Sequence, residues 1–172
     1  MARDIELFLE EDELDSFYED IEYGQYLEWI TKYPDYIESI FLHLWMHYGP
    51  PDENTLKNFL AKGMNINGEI IGPECDTFLE VACDQQDAEM IDLLLSNGAI
   101  PSKHIVENAI FGHRDGDIKN TENITQCLNV IQKHNIPLCI EKRLYDDLIN
   151  NNRFDMSHPY YQDFFKKCKI SQ

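Results

Sequence analysis

Residues 77–101, TFLEVACDQQDAEMIDLLLSNGAIP, decide the fold that this sequence predicts. Thr77 and Glu80 have the spacing of a capping box, in which the hydroxyl and the carboxylate each satisfy a backbone N–H group, so a helix should begin here. After a polar break, Asp87 can cap a second helix, and Gly98 can end it in the left-handed conformation. Two short antiparallel helices and a turn are therefore predicted. Since neither helix can bury its apolar face alone, the unit requires neighbours.

The same stretch resembles an ankyrin repeat, whose pattern runs T-P-L-H-x-A-A, then a short turn, then V-x-x-L-L-x-x-G-A. The positions that match this pattern are Thr77, Leu79, Ala82, Leu94, Leu95, Gly98 and Ala99. The departures are Phe78 for the proline, Glu80 for the histidine and Gln86 for the glycine of the turn. They weaken the signature of the first helix and leave that of the second intact. An unrelated helical hairpin is the alternative.

Similar segments lie about one period away on both sides. Upstream, LKNFLAKGMNIN at 56–67 repeats the second-helix ending, with Gly63 lying 35 residues before Gly98 and Asp52 as the expected cap. Downstream, a second helix should end at Asn135, 37 residues after Gly98. Hairpins are thus predicted at 35–62, 77–97 and 103–134. The side chains expected to be buried between them are Leu60, Leu79, Ala82, Leu94, Leu95 and Leu128.

Three segments make up the single domain that we expect. Residues 1–34 form an acidic helical segment packing on the stack, although the first ten could instead be disordered. Residues 35–152 form the ankyrin-like repeats, and 153–172 supply a C-terminal capping helix. The predicted fold class is all-α, an ankyrin-like α-solenoid of stacked helical hairpins.

Charge is the strongest feature of the composition. The chain has 32 acidic side chains and 14 basic ones, a net charge of −18, and residues 1–48 alone carry −11. Such a field repels nucleic acid and anionic membranes and attracts a basic partner. The alternative is that these acids only keep the protein soluble.

Signals for catalysis, cofactors and metals are weak. The five cysteines include no CxxC pair and are interpreted as small buried residues: Cys75, Cys83, Cys127, Cys139 and Cys168. His43 and His47 lie one helical turn apart but lack a third ligand nearby, so no metal site is predicted. Nucleotide-binding and nucleophile motifs are absent from the sequence. We therefore expect neither an enzyme nor a cofactor.

The apolar runs are too short to cross a bilayer, and the acidic N-terminus does not resemble a secretory signal, which predicts a cytoplasmic protein.

Protein binding is the function that the ankyrin resemblance implies, through loop tips and the faces of the first helices. The predicted partner is a basic protein, without direct contact to nucleic acid or membrane, and the chain is expected to be a monomer. The predicted contact residues are Glu10, Glu11, Asp12, Glu13, Asp15, Glu19, Asp20, Glu69, Glu74 and Asp76. Aromatic anchors could come from Tyr18, Tyr23, Tyr26, Tyr33 and Tyr36, unless these are buried.

An acidic inhibitor or immunity protein against a basic toxin such as a nuclease fits best. The alternatives are an adaptor or effector of a host-associated microbe and a DNA mimic.

Overall fold

The computed structural model describes residues 25–70, 77–111, 121–150 and 159–171. These ranges are mostly helical and contain nine α-helices, one 3-10 turn (Pro34–Tyr36) and one two-stranded sheet. The helices are α1 (Tyr26–Lys32), α2 (Ile37–Tyr48), α3 (Glu53–Ala61), α4 (Phe78–Asp84), α5 (Ala88–Ser96), α6 (Ile105–Phe111), α7 (Thr121–Lys133), α8 (Lys142–Asn150) and α9 (Pro159–Lys167). The strands are β1 (Cys139–Glu141) and β2 (Lys169–Ser171). Each of the three predicted hairpin segments contains two helices, and a helix also lies within the predicted C-terminal segment.

The chain divides into two compact units, Met1–Phe78 and Leu79–Gln172. In the described part of the first unit, aromatic rings form the centre of the core. Tyr26 stacks on Phe59 with ring centroids 5.2 Å apart, and Phe41 meets both Phe59 and Phe78 edge to face at 5.1 Å. The Tyr26 hydroxyl also accepts a hydrogen bond from Asn58 Nδ2 at 2.9 Å. Stacked and edge-to-face ring pairs contribute favourable free energy beyond that of apolar burial, so these contacts hold α1, α2 and α3 together.

Helix α2 follows the helical apolar period over its whole length. The side chains on its buried face are Ile37, Ile40, Phe41, Leu44 and Trp45. Their i, i+3, i+4 spacing in the sequence places them on one side of the helix. Gly49 then ends the helix with φ 85°, and its N–H donates to the Trp45 carbonyl at 2.9 Å.

The second unit packs α7 against both α5 and α6. Its fully buried residues include Ile91, Leu94, Ile124 and Ile131. A small parallel sheet completes the described part of this unit: β1 pairs with β2 in the register Cys139↔Lys169, Ile140↔Ile170 and Glu141↔Ser171. The sequence analysis did not predict this sheet, because three-residue strands are too short to show an alternating pattern.

Four of the described helices, α3, α4, α5 and α7, end with the same hydrogen-bonded closure. In α4 the Asp87 N–H donates to the Ala82 carbonyl at 3.0 Å, directly after the left-handed Gln86. At the other three ends, the N–H of Met64 donates to the Phe59 carbonyl at 3.1 Å, that of Ala99 to Leu94 at 3.0 Å, and that of Ile136 to Ile131 at 3.3 Å. The residue before each of these three donors is left-handed: Gly63 (φ 107°), Gly98 (φ 96°) and Asn135 (φ 59°). Each end is a Schellman motif, which satisfies carbonyls that the helix leaves open. The predicted ends at Gly98 and Asn135 are confirmed.

The predicted N-caps of α3 and α5 are also confirmed. Asp52 Oδ1 accepts from the Thr55 N–H at 2.7 Å, and Asp87 Oδ1 accepts from the Met90 N–H at 2.9 Å. Helix α4 begins directly after Thr77, where the capping box placed it. Between α4 and α5, Gln86 adopts φ 54°, a left-handed conformation at the position where the ankyrin pattern has glycine.

The burial prediction is correct for four of its six residues. Leu79, Ala82, Leu94 and Leu128 are buried. By contrast, Leu60 and Leu95 are only half-buried. Each follows a fully buried residue, Phe59 or Leu94, and one step along a helix turns the side chain by about 100°, away from the core.

Candidate interaction surface

The described structure includes one of the ten predicted contact residues. Glu10, Glu11, Asp12, Glu13, Asp15, Glu19, Asp20, Glu74 and Asp76 lie outside the described ranges. Glu69 is exposed and forms an antiparallel bridge with Thr77. The structure therefore places this carboxylate at the end of the loop that follows α3.

Hydrogen bonds connect the loop before Glu69 to α2 and within itself. The Asn65 N–H donates to Glu38 Oε1 on α2 at 3.0 Å, and the Asn65 side chain accepts from the Asn67 N–H at 3.1 Å. The Gly68 N–H donates to the Asn65 carbonyl at 2.9 Å and closes a turn at Asn67-Gly68, a dipeptide that favours turns. Glu69 is thus presented from an anchored loop.

Most of the acidic charge of the first unit lies outside its described part. Residues 25–70 contain six acids and three bases, whereas residues 1–24 contain ten acids and one base. Two of the described bases have local partners: Lys57 pairs with Glu53 at 2.7 Å, and Lys32 lies over the rings of Trp29 and Tyr33. Attraction of a basic partner would therefore depend chiefly on residues 1–24.

The described tyrosines of the first unit differ in accessibility. Tyr26 is buried in the aromatic core, so it is not an anchor for a partner. Tyr33 and Tyr36 are half-buried, and Tyr33 stacks on Trp29 with centroids 5.5 Å apart. Tyr48 at the end of α2 is more than half exposed, as is Met46 nearby. Sequence reasoning missed these two, because both fall within an apolar helix and only packing shows that they point outward.

The two histidines of α2 lie close together. The ring centroids of His43 and His47 are 4.2 Å apart. Burial lowers the pKa of His43, and the neighbouring His47 lowers it further. Within the described ranges, neither imidazole belongs to a group of three potential metal ligands.

A polar cluster in the Leu79–Gln172 unit consists of His104, Glu107 and Glu141. Their potential ligand atoms all lie within 4.8 Å of one another. His104 Nδ1 is 2.7 Å from Glu107 Oε2, and Glu107 Oε1 accepts from the Glu141 N–H at 2.8 Å. The i, i+3 spacing of His104 and Glu107 was the only local signal, since Glu141 lies 34 residues further along the chain.

Acid–base contacts also tie α5 to the end of α7. Asp92 Oδ2 is 2.7 Å from Lys133 Nζ, and Asp92 Oδ1 is 2.6 Å from His134 Nε2. Hydrogen bonds from Lys133 and His134 lower the pKa of Asp92 below its usual value. This contact stabilises the ionised form of the carboxylate.

Three of the described cysteines, Cys83, Cys127 and Cys168, have raised thiol pKa values and are unsuited to thiolate chemistry at neutral pH. Cys83 and Cys127 are buried, whereas Cys139 and Cys168 are only half-buried, which corrects the expectation that all would be buried. Burial raises the pKa of Cys127 to about 12. Burial, followed by the nearby Cys139 and Glu107, raises the pKa of Cys168 to about 11. Protonated thiols are poor nucleophiles.

None of the helices in the described ranges combines the length and apolar character needed to cross a membrane. The sequence matches no protein-family model and no curated protein, and the fold matches no solved structure.

Proposed function

We propose that this protein is a protein-interaction module, an ankyrin-like solenoid that binds and neutralises a basic protein such as a nuclease toxin. The charge distribution carries this proposal: residues 1–48 hold a net charge of −11 within a total of −18. A field of one sign accelerates encounter with a partner of the opposite sign. We assign the protein no catalytic step.

The helix ends support the ankyrin-like part of the proposal. The left-handed residues Gly63, Gly98 and Asn135 recur at spacings of 35 and 37 residues, each within the same hydrogen-bonded closure. Ankyrin repeats have a period of about 33 residues, so each unit would be slightly longer than the family pattern. Recurrent closure is what a chain of similar helical hairpins requires, because each second helix must end before the next loop.

The anchored loop at residues 64–70 supports the binding part. Ordering a loop on association costs free energy, and a loop that is already ordered avoids that cost. The bond from the Asn65 N–H to Glu38 Oε1 fixes the loop against α2. Its exposed Glu69 can then meet a cationic side chain of a partner without rearrangement. In this proposal, the acidic N-terminal segment steers the encounter and the loop contributes to the bound state.

Binding kinetics test the proposal. The full-length protein is measured against a panel of purified basic nucleases and basic proteins without nuclease activity, at low and high salt, together with inhibition of nuclease activity. The test variant is Glu10→Gln, Glu11→Gln, Asp12→Asn and Glu13→Gln combined. We expect it to associate more slowly and with a weaker salt dependence, because peripheral charges act mainly on the association rate.

A matched control removes the same charge elsewhere. It combines Glu89→Gln, Glu122→Gln, Asp146→Asn and Asp163→Asn, all at exposed positions outside residues 1–48. This control should retain more of the wild-type association rate than the test variant. Failure to bind any basic protein at low salt would refute the proposal. Equal association rates for wild type and test variant at both salts would show that residues 10–13 do not steer a partner.

The Glu69→Gln variant tests the loop separately. If the loop contacts the partner, the dissociation rate should rise while the association rate changes little. If duplex DNA displaces this protein from its bound partner, that result would instead favour the DNA-mimic alternative.

A further inference from the structure

Glu107 is an unusual residue in the described core. It lies on α6 and is only 7% exposed, and the described residues that are buried and polar include only one other, Thr55. A buried carboxylate requires a compensating positive charge or several hydrogen bonds. The carboxylate of Glu107 contacts the Glu141 backbone N–H and the His104 imidazole. Neither a lysine nor an arginine among the described residues is paired with it.

Glu141 brings a second carboxylate to the same place. It is the last residue of β1 and is exposed, and one of its carboxylate oxygens lies within 4.8 Å of a ligand atom of His104 and of Glu107. With a neutral imidazole, this cluster carries two negative charges around one small space. Two carboxylates in such proximity repel each other, and a divalent cation between them would replace this repulsion by attraction.

We propose that His104, Glu107 and Glu141 form a binding site for a divalent metal ion of the zinc type. One imidazole nitrogen and two carboxylates supply three protein ligands, and water can take the fourth position of a tetrahedral ion. Imidazole favours zinc and similar transition metals, whereas magnesium and calcium prefer sites made of oxygen ligands alone.

The geometry separates a fixed ligand from two adjustable ones. Glu107 is buried, and the hydrogen bond of 2.8 Å from the Glu141 N–H orients its carboxylate, as outer contacts do in metal sites. His104 and Glu141 are accessible and can rotate about their side-chain bonds. Ligand atoms around a tetrahedral zinc ion lie roughly 3.3 Å apart, given bonds of about 2.0–2.1 Å. The 2.7 Å contact between His104 and Glu107 would therefore open by about half an ångström to admit the ion.

The bound ion would join three parts of the Leu79–Gln172 unit. His104 precedes α6, Glu107 lies within it, and Glu141 ends β1, which pairs with β2. Because an ion that binds only the folded state stabilises that state, zinc should raise the unfolding temperature of the protein.

The experiment uses the full chain, stripped of metal with a chelator and titrated with zinc chloride in a calorimeter. We expect one zinc ion per chain at this site and weaker binding of manganese, following the order of divalent affinities. His104→Ala and Glu141→Gln should each weaken zinc binding at least tenfold and reduce the rise in unfolding temperature. Circular dichroism should remain that of the wild type for Glu141→Gln, whose side chain is exposed. It also checks the folding of His104→Ala, which removes one of the two partners of the buried Glu107 carboxylate.

Two controls distinguish this site from other zinc ligands. The double variant His43→Asn and His47→Asn removes the close pair of imidazoles on α2 and should retain tight binding. The double variant Cys139→Ser and Cys168→Ser should also retain it, and cobalt bound in place of zinc should show no thiolate charge-transfer band. Unchanged zinc affinity in both His104→Ala and Glu141→Gln would refute the site. Loss of binding in the cysteine variant, or calcium binding more tightly than zinc, would refute the proposed ligands.

Discussion

Replacement of Leu94 by alanine tests the position of α5 within the core of its unit. The Leu94 side chain is fully buried, and its carbonyl accepts the closing hydrogen bonds from Asn97 and Ala99. Leu94→Ala should lower the free energy of unfolding by about 2–5 kcal/mol, since apolar contacts are lost and a cavity is left. The backbone closure is unaffected by this change, so the loss reports side-chain packing.

Leu95→Ala is the matched control, because it deletes the same atoms one position further along the helix. Leu95 is half-buried, so its truncation loses less of the free energy gained by removing apolar surface from water, and solvent can fill part of the space that the side chain leaves. We expect a loss of about 1–2 kcal/mol. The difference between the two variants tests the helical register without reference to absolute stability.

Urea unfolding followed by circular dichroism at 25 °C measures both variants, with thermal melts as a second readout. For a protein of this length, each 1 kcal/mol should lower the melting temperature by about 2–4 °C. A loss below about 1 kcal/mol for Leu94→Ala would contradict its burial in a packed core. Equal losses for the two variants would contradict the register.

Two further predictions concern local interactions in the same unit. Gln86→Gly should have a free energy of unfolding about 0.5–1 kcal/mol higher than Gln86→Ala, because only glycine adopts the left-handed φ of 54° without strain. Both variants lose the 3.4 Å hydrogen bond to the Ala109 carbonyl, so that loss cancels in the comparison. A higher urea midpoint for the alanine variant than for the glycine variant would contradict this prediction. Asp92→Asn should cost about 0.2–1 kcal/mol at pH 7, because the contacts to Lys133 and His134 favour the ionised carboxylate but remain partly exposed. The lowered pKa of Asp92 means that its contribution is complete above the unfolded pKa of about 3.9 and is lost as the pH falls through the lower folded pKa. The difference in urea midpoint between wild type and variant should therefore be smaller at pH 3 than at pH 7, and an equal difference at both pH values would rule out ionisation as the cause.

The candidate surface could be predicted only in part from the sequence. Glu69 was predicted as a contact residue because the ankyrin resemblance assigns binding to loop tips, and the structure shows it exposed on an anchored loop. Tyr26 belonged to the same acidic and aromatic segment by composition, but its ring packs on Phe59. Composition indicates which residue types are available, whereas burial depends on which side of a helix meets its neighbours.

The sequence by itself determined where the helices begin and end. Asp52 and Asp87 cap helices as predicted, and Gly98 and Asn135 close them, because each signal acts through backbone groups within about five residues. The spacing of apolar residues likewise identified the buried face of α2, since helical geometry relates positions three and four residues apart.

Only the tertiary structure decided which distant residues meet. Pairing of Cys139 with Lys169, and the approach of Glu141 to Glu107, join positions about 30 residues apart. Neither contact has a local pattern, because it depends on the path of the helices and loops between the partners. The setting of the buried Glu107 carboxylate has the same origin in part: His104 lies three residues earlier on the chain, but only the folded chain brings the Glu141 backbone N–H to it.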